Sequence, residues 1–248
     1  MLLNPQNWLA LYRASYVFVN PAQFLRAMIT RQAPPSVLIR SPIGRRRICL
    51  RNFESLRTLF SIFCRLDYRT DGASARTFVD IGANIGLASL YFLSRHPHSS
   101  VEAYEPDQAN LELLRRNLLD FGGRARVNEC AVGVDAQSTL LYRSEDGKYS
   151  SLLRSERANL PQEIETQAFG DVLARACEAQ RPVVVKIDVE GLEEALVGSV
   201  DFNRYGALRR LIVESTGCAR LVGRPHRRIV RSGYVEDIRF EGPESAPG

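Results

Sequence analysis

Short apolar runs and longer stretches with helical spacing alternate along most of this chain. "TFVDI" (77–81) reads as a strand, and "GLASLYFLSRH" (86–96) as a helix stopped by Pro97. "SVEAYE" (100–105) is a second strand, "DQANLELLRRNLLDF" (107–121) a helix ended by Gly122 and Gly123, and "ARVNECAV" (125–132) a third strand. After a different stretch at 138–167, "FGDVLARACEA" resumes as helix, "RPVVVKIDVE" is an apolar central strand, and "GLEEALVGSV" is helical. "LRRLIVES" and "GYVEDIRF" complete the strands. Strand-helix alternation with short turns predicts an α/β fold with a mostly parallel, doubly wound sheet.

The first residues follow another pattern. Short helical stretches are broken at Pro21 and at Ala33-Pro34-Pro35, and "SVLIR" and "RRICL" then flank a turn at 42–44, which predicts a β-hairpin. Asn52 caps a helix over "FESLRTLFSIFCRL", with Leu56, Leu59, Phe60 and Phe63 on one stripe. The expected organisation is a helical and hairpin cap over 1–70, a ligand-binding domain over 71–240 and a frayed tail over 241–248. Within 138–167, "STLLYRS" looks hairpin-like and "EDGKYSS" loop-like, which suggests an insertion over the ligand mouth.

Composition narrows the setting. The 248 residues, 45% apolar, suffice for one sizeable core with an appendage. No apolar run approaches the roughly eighteen residues of a membrane span. The start lacks a basic region followed by a small-residue cleavage site, so no signal peptide is read. Five scattered cysteines without a C-x-x-C pair fit reduced thiols, and the expected location is cytoplasmic. The aromatic N-terminus (Trp8, Tyr12, Tyr16, Phe18) admits attachment to a membrane surface, but the reading taken is a helix packed on the core. The net charge is +5 and almost all of its basic side is arginine, Lys148 and Lys186 being the only lysines. Arginine clusters at 45–47 and 224–231 read as solvated surface, and a general basic balance is no evidence for nucleic acid.

The chemistry concentrates at "FVDIGANIG" (78–86). Gly82 and Gly86 let the backbone turn sharply after a strand, and the following helix aims its N–H groups at the same place. A dinucleotide fingerprint would need glycine where Asn84 and Leu87 stand, and Asp80 would face the pyrophosphate at short range. S-adenosylmethionine meets neither objection: it has no phosphates, and its sulfonium and amino group suit a nearby carboxylate. Its carboxylate could use the turn's N–H groups, and Glu105, at the end of the second strand, could accept both ribose hydroxyls.

A second charged group, "VKIDVEG", puts Lys186, Asp188 and Glu190 on one face of a strand end. Charges there must pair, line a cavity or do both. Methyl transfer to a hydroxyl requires the acceptor held in line and its proton removed. Asp188 is the first candidate for that base, with Glu190 and Glu214 next and Lys186 as their counter-charge. A Mg²⁺ held by Asp188, Glu190 and Glu214 is compatible with these residues but not demanded by their spacing.

"FVDIGANIGLASLYF", "VEAYEPDQANLELLRRNL", "ECAVG", "VVVKIDVEGLEEALVG" and "LIVE", in that order, resemble the FkbM family of S-adenosylmethionine-dependent methyltransferases, over roughly residues 50–215. The resemblance implies a class I (Rossmann-like) methyltransferase fold and O-methylation of a sugar, glycan or polyketide-like small molecule. It implies Asp80, Gly82, Asn84, Gly86 and Glu105 as cofactor residues, with Cys130 and Ala131 near the adenine. Two other readings remain: a nucleic-acid methyltransferase, against which stands the absence of an Asn/Asp-Pro-Pro-aromatic stretch and of a Pro-Cys pair, and a non-catalytic cofactor-binding or partner module.

Overall fold

The computed structural model describes residues 5–69, 75–143, 160–189, 191–231 and 233–240. Two helices open the chain, α1 (Pro5–Val17) and α2 (Pro21–Thr30). Asn20 caps the second by accepting from Gln23 N–H, and Pro21 occupies a first-turn position where its missing N–H is not needed. The expected hairpin forms from β1 (Ser36–Ser41) and β2 (Gly44–Cys49). Asn52 caps α3 (Phe53–Phe60) as predicted, and the helix continues as a π-helical turn over Ser61–Arg65.

The sheet strands are β3 (Thr77–Ile81), β4 (Ser100–Tyr104) and β5 (Ala125–Asn128), connected by α4 (Leu87–Arg95) and α5 (Gln108–Leu118). A short β6 (Ala131–Gly133), β7 (Ser138–Arg143) and β8 (Leu160–Ala168) follow, then α6 (Phe169–Cys177), β9 (Val183–Ile187), α7 (Glu193–Gly198) and β10 (Leu208–Val213). β11 (His226–Arg231) and β12 (Val235–Phe240) come last. The main sheet has seven strands in the order β11-β12-β10-β9-β3-β4-β5. β10, β9, β3, β4 and β5 run parallel, and β12 is antiparallel to both of its neighbours. The α/β, mostly parallel, doubly wound expectation is met.

Both faces of the sheet are covered, which is why its central strands are apolar on both faces apart from Asp80 and Lys186 near their ends. On one face Phe78, Val101, Ala103 and Val184 pack with α4, α5 and the N-terminal elements. On the other, Val79, Ile81, Val185 and Leu211 pack with α6 and α7. From β3 the chain winds outward through β4 and β5, then returns to the other side of β3 as β9. That reversal leaves a crevice beyond the ends of β3 and β9, where ligands bind in such sheets.

Three sequence expectations change. "ARVNECAV" is not one strand: it breaks at Glu129 and Cys130, and its second half leaves the main sheet to pair with β8. Within 138–167, β7 and β8 pair antiparallel from Ser138–Glu165 to Arg143–Leu160, while "EDGKYSS" lies outside the described residues, as does the tail 241–248. "RPHRRIVR", taken as solvated arginines, contains the edge strand β11, whose Arg228 and Arg231 pair with Glu236 and Asp237 of β12. Among the described residues, no helix is long and apolar enough to cross a membrane.

Candidate active site

The turn after β3 is shaped by what it packs against. Gly82 has φ +74°, and a Cβ there would lie 1.8 Å from the Asp188 carbonyl oxygen. The two strand ends are thus in backbone contact, which any larger residue would force apart. Gly86 has φ +83°, and its Cβ would meet Leu114 Cδ1 of α5 at 2.5 Å. Between them Asn84 also takes a left-handed conformation, φ +51°, and its Oδ1 accepts from Ile85 N–H.

The N–H groups of this turn are largely occupied. Gly82 and Ala83 donate to Tyr104 O, Asn84 to Glu105 Oε2, and Gly86 to Ala83 O. These N–H groups, expected from the sequence to meet a ligand carboxylate, already have protein acceptors; at the start of α4, Leu87 and Ala88 line the cleft. A turn so occupied is no phosphate cradle of the kind found in nucleotide sites.

Asp80 does not stand at the mouth of the turn as a free charge. It is fully buried, and its Oδ2 accepts from Ser89 N–H at 3.1 Å and Ser89 Oγ at 2.6 Å. Its Oδ1 lies 3.2 Å from Lys186 Nζ, across the β3–β9 pairing that sets Asp80 beside Lys186. Lys186 Nζ also donates to Gly82 O at 2.8 Å and reaches Asp188 Oδ2 at 3.3 Å. Burial alone would lower the Lys186 pKa, but Asp80 and Asp188 outweigh it and hold the pKa above its ordinary value. Lys186 is therefore a buried cation joining two carboxylates, only one of which, Asp188, reaches the cleft.

Glu105 is buried at the end of β4. Its oxygens accept from Asn84 N–H at 2.8 Å, Asp107 N–H at 2.9 Å and the Asn110 amide at 3.3 Å. Burial nevertheless pushes its carboxyl up to about 7, against those donors. The same loop carries Asp107, the N-cap of α5, whose Oδ1 accepts from Ala109 and Asn110 N–H.

A cleft of about 230 Å³ opens beside the turn. Gly82–Ile85 and the start of α4 form one side, α3 and its π-helical extension another, and Lys186, Asp188, Glu214 and Tyr234 the floor and rim. Glu214 follows β10, where its N–H donates to Ile187 O, so β9 and β10 hold it next to Asp188. Burial first, and then the charge of Asp67, push the Glu214 carboxyl up to about 7. Tyr234 is raised as well, by burial and by the neighbouring Glu214 and Asp67.

Asp67, Tyr234 and Arg51 all line this cleft, and sequence reading singled out none of them. They come from separate segments without a motif, so only the folded chain brings them together. Ser89, three residues past Gly86, could have been found from its position in the first turn of α4. Glu193 was also missed: it accepts from Val189 N–H at 3.0 Å and Gly191 N–H at 2.9 Å, fixing the loop after β9. Glu190 lies outside the described residues.

Cys130, just before β6, and Ala131, its first residue, are buried away from the cleft lining, and burial raises the Cys130 thiol. Among the described residues no group of three or more His, Cys, Asp and Glu is arranged to hold a metal ion. A cation beside Asp188 would also meet the Lys186 ammonium.

The methyltransferase FkbM domain matches residues 80–217, from Asp80 to just past Glu214. Methyltransferase 1 of Beauveria bassiana (strain ARSEF 2860) is 26% identical over 156 residues, which is 55% of this chain and 63% of that protein. The 31-O-demethyl-FK506 methyltransferase FkbM of Streptomyces tacrolimicus is 27% identical over 188 residues, 64% of this chain and 72% of that protein. A crystal structure of methyltransferase FkbM from Methylobacillus flagellatus KT covers 88% of this chain and 58% of its own, with a TM-score of 0.47 at 13% identity. The chain spans less than two thirds of the Beauveria bassiana protein. Its fold is of the class I methyltransferase type, and with more than half of its residues matched, the chain belongs to the FkbM methyltransferase domain family.

Proposed function

We propose that this protein is an S-adenosylmethionine-dependent O-methyltransferase acting on a hydroxylated small molecule or glycan. One observation carries the reading: at the floor of the cleft, Glu214 has a carboxyl raised to about 7 beside an Asp188 whose charge Lys186 balances. A group that titrates near neutrality suits removal of a hydroxyl proton. Asp188, held by Lys186, orients the acceptor, and Glu214 takes its proton. This reverses the order read from sequence, where Asp188 was the first candidate base. Glu190 remains a candidate from its position alone.

The residues fit the cofactor's chemistry. Glu105, at the end of β4 and outside the cleft lining, is assigned the ribose hydroxyls, which would share oxygens that already accept from Asn84 N–H, Asp107 N–H and the Asn110 amide. Leu87 and Ala88, at the positive end of α4, suit its carboxylate. S-adenosylmethionine, when bound, supplies a methyl group on a cationic sulfur. Asp80 serves it indirectly, by keeping Lys186 in place and anchoring α4 through Ser89. Cys130 and Ala131 could flank the adenine by backbone alone. The Streptomyces tacrolimicus relative is named for 31-O-demethyl-FK506, which favours a hydroxyl acceptor.

The test is incubation with methyl-labelled S-adenosylmethionine and a panel of sugars, glycan fragments and polyketides. Label is expected on an acceptor oxygen. Calorimetry with Glu105→Ala should show about tenfold or weaker cofactor binding, the loss of a charge-assisted pair. Unchanged affinity removes Glu105 from the cofactor site.

A further inference from the structure

We infer that the N-terminal face of this protein, formed by α1, α2 and the outer side of the β1–β2 hairpin, docks on an anionic lipid bilayer. Helix α1 is turned the wrong way round for a helix that only covers a core. Its small residues, Ala10 and Ala14, are buried, while Trp8, Leu9, Tyr12 and Tyr16 are each 48–61% exposed. At 100° per residue these four fall on one stripe, and Tyr12 and Tyr16 meet edge-on with their hydroxyls 3.0 Å apart. Phe18, grouped with them on sequence grounds, goes the other way and stacks on Phe24 in the core. In α2, Leu25 and Ile29 are 53% and 74% exposed. Exposed aromatic and aliphatic side chains gathered on one helix stripe, with more on the next helix, are unfavourable in water and mark a contact site.

Charge identifies the occupant. The first 53 residues contain eight arginines and no aspartate or glutamate, whereas the rest of the chain is net acidic. Arg26, Arg31, Arg40, Arg45 and Arg47 are exposed, and none has a carboxylate partner among the described residues. Arg40 and Arg45 stand directly opposite in the hairpin, a like-charged cross-strand pair that is destabilising without an anion nearby. Arg40 also donates to Tyr16 O and Phe18 O, which ties the hairpin's arginine face to the aromatic end of α1. Tryptophan and tyrosine favour the headgroup level of a bilayer, and arginine is drawn to its anionic lipids. A nucleic acid would meet the arginines and stack on the aromatic rings, but would leave Leu9, Leu25 and Ile29 without a partner.

The chain has a single tryptophan, Trp8, so its emission reports directly on this face. The full-length protein is titrated with vesicles of phosphatidylcholine, with and without phosphatidylserine. The expected result is a blue shift and cosedimentation with the phosphatidylserine vesicles only, weakened by salt. Each of Arg26→Gln, Arg31→Gln and Arg45→Gln should lower the partition coefficient about fivefold. Tyr12→Ser with Tyr16→Ser should abolish the blue shift while circular dichroism stays unchanged, since all these side chains are exposed. Absence of binding to phosphatidylserine vesicles overturns the inference. So does an equal blue shift with RNA in place of vesicles, or a blue shift that follows protein concentration alone and reports self-association.

Discussion

Two carboxylates at strand ends on either side of β9 meet opposite fates. Asp80 has a cation built in: Lys186 beside it and Ser89 above it occupy its oxygens, and it is sealed from the cleft. Among the described residues Glu214 has no such cation; its neighbour Asp67 is another carboxylate, and its pKa rises to about 7. A buried acid with an internal partner holds the structure together, whereas one without is left able to exchange a proton. The residue that looks most chemical in the sequence is thus a fastening, and the acid proposed to take the proton stands at the end of the next strand but one.

Removing the cation is the strongest way to break this contrast. Lys186→Met leaves Asp80 buried with no opposite charge, and loss of one partner of a buried pair costs about 3–5 kcal/mol. Urea denaturation should show that drop. The double variant Lys186→Met with Asp80→Leu should recover much of it, because an apolar pair of similar volume replaces the ions. If the single change costs under about 1 kcal/mol, Asp80 is not held by Lys186 and the division between the two carboxylates fails.

The second prediction concerns the unpartnered acid, and pH sharpens it. Glu214 titrates near 7 in the folded protein against an ordinary value of 4.5, so the folded state holds its proton more tightly than the unfolded one. Its contribution to stability is complete below about pH 4.5 and is lost as pH rises to about 7. Glu105 has the same sign and window. Glu214→Gln should therefore flatten the fall in stability over that window, by on the order of 1–3 kcal/mol in denaturation series at several pH values. Turnover moves the other way: the base form is needed, so the wild-type rate should climb with pH through about 7. Glu214→Gln should lower it about 10²-fold or more. A variant with full turnover and the wild-type pH profile would return the proton transfer to Asp188.

Much of this was legible before folding, and the limits have a physical cause. The β3–turn–α4 unit is local: two glycines, an apolar strand and a helix within twenty residues fix its shape, and the sequence reads it correctly. The Lys186–Asp188 group is local too, since strand alternation alone sets both side chains on one face. The partnership of Asp80 with Lys186 is not, because it depends on β9 returning beside β3 from over a hundred residues away. Asp67 and Tyr234, both close to Glu214, are likewise products of the winding order. The strand β11 escaped because its arginines were read as solvated charge, whereas two of them pair with carboxylates of β12 that only the folded sheet brings alongside. The inverted α1 could not be foreseen, since its alanines and aromatics are equally apolar in a pattern and only packing tells which side is turned to the core.

The smallest effect tests the comparison at its limit. Arg115 and Glu129 form an ion pair on the surface, with their side chains 45% and 49% exposed. Water solvates both charges here, so neither needs the other, and the two long side chains lose freedom when they meet. A double-mutant cycle of Arg115→Ala and Glu129→Ala should give a coupling of about 0.2–1 kcal/mol, decreasing with added salt. Lys186–Asp80 should show several times that coupling and little salt dependence, since both its groups are shielded from the ions. Were the two couplings alike, burial would not be what separates a structural carboxylate from a reactive one. The raised pKa of Glu214 would then have to come from the Asp67 charge alone, and Asp67→Asn would bring it back to the ordinary range.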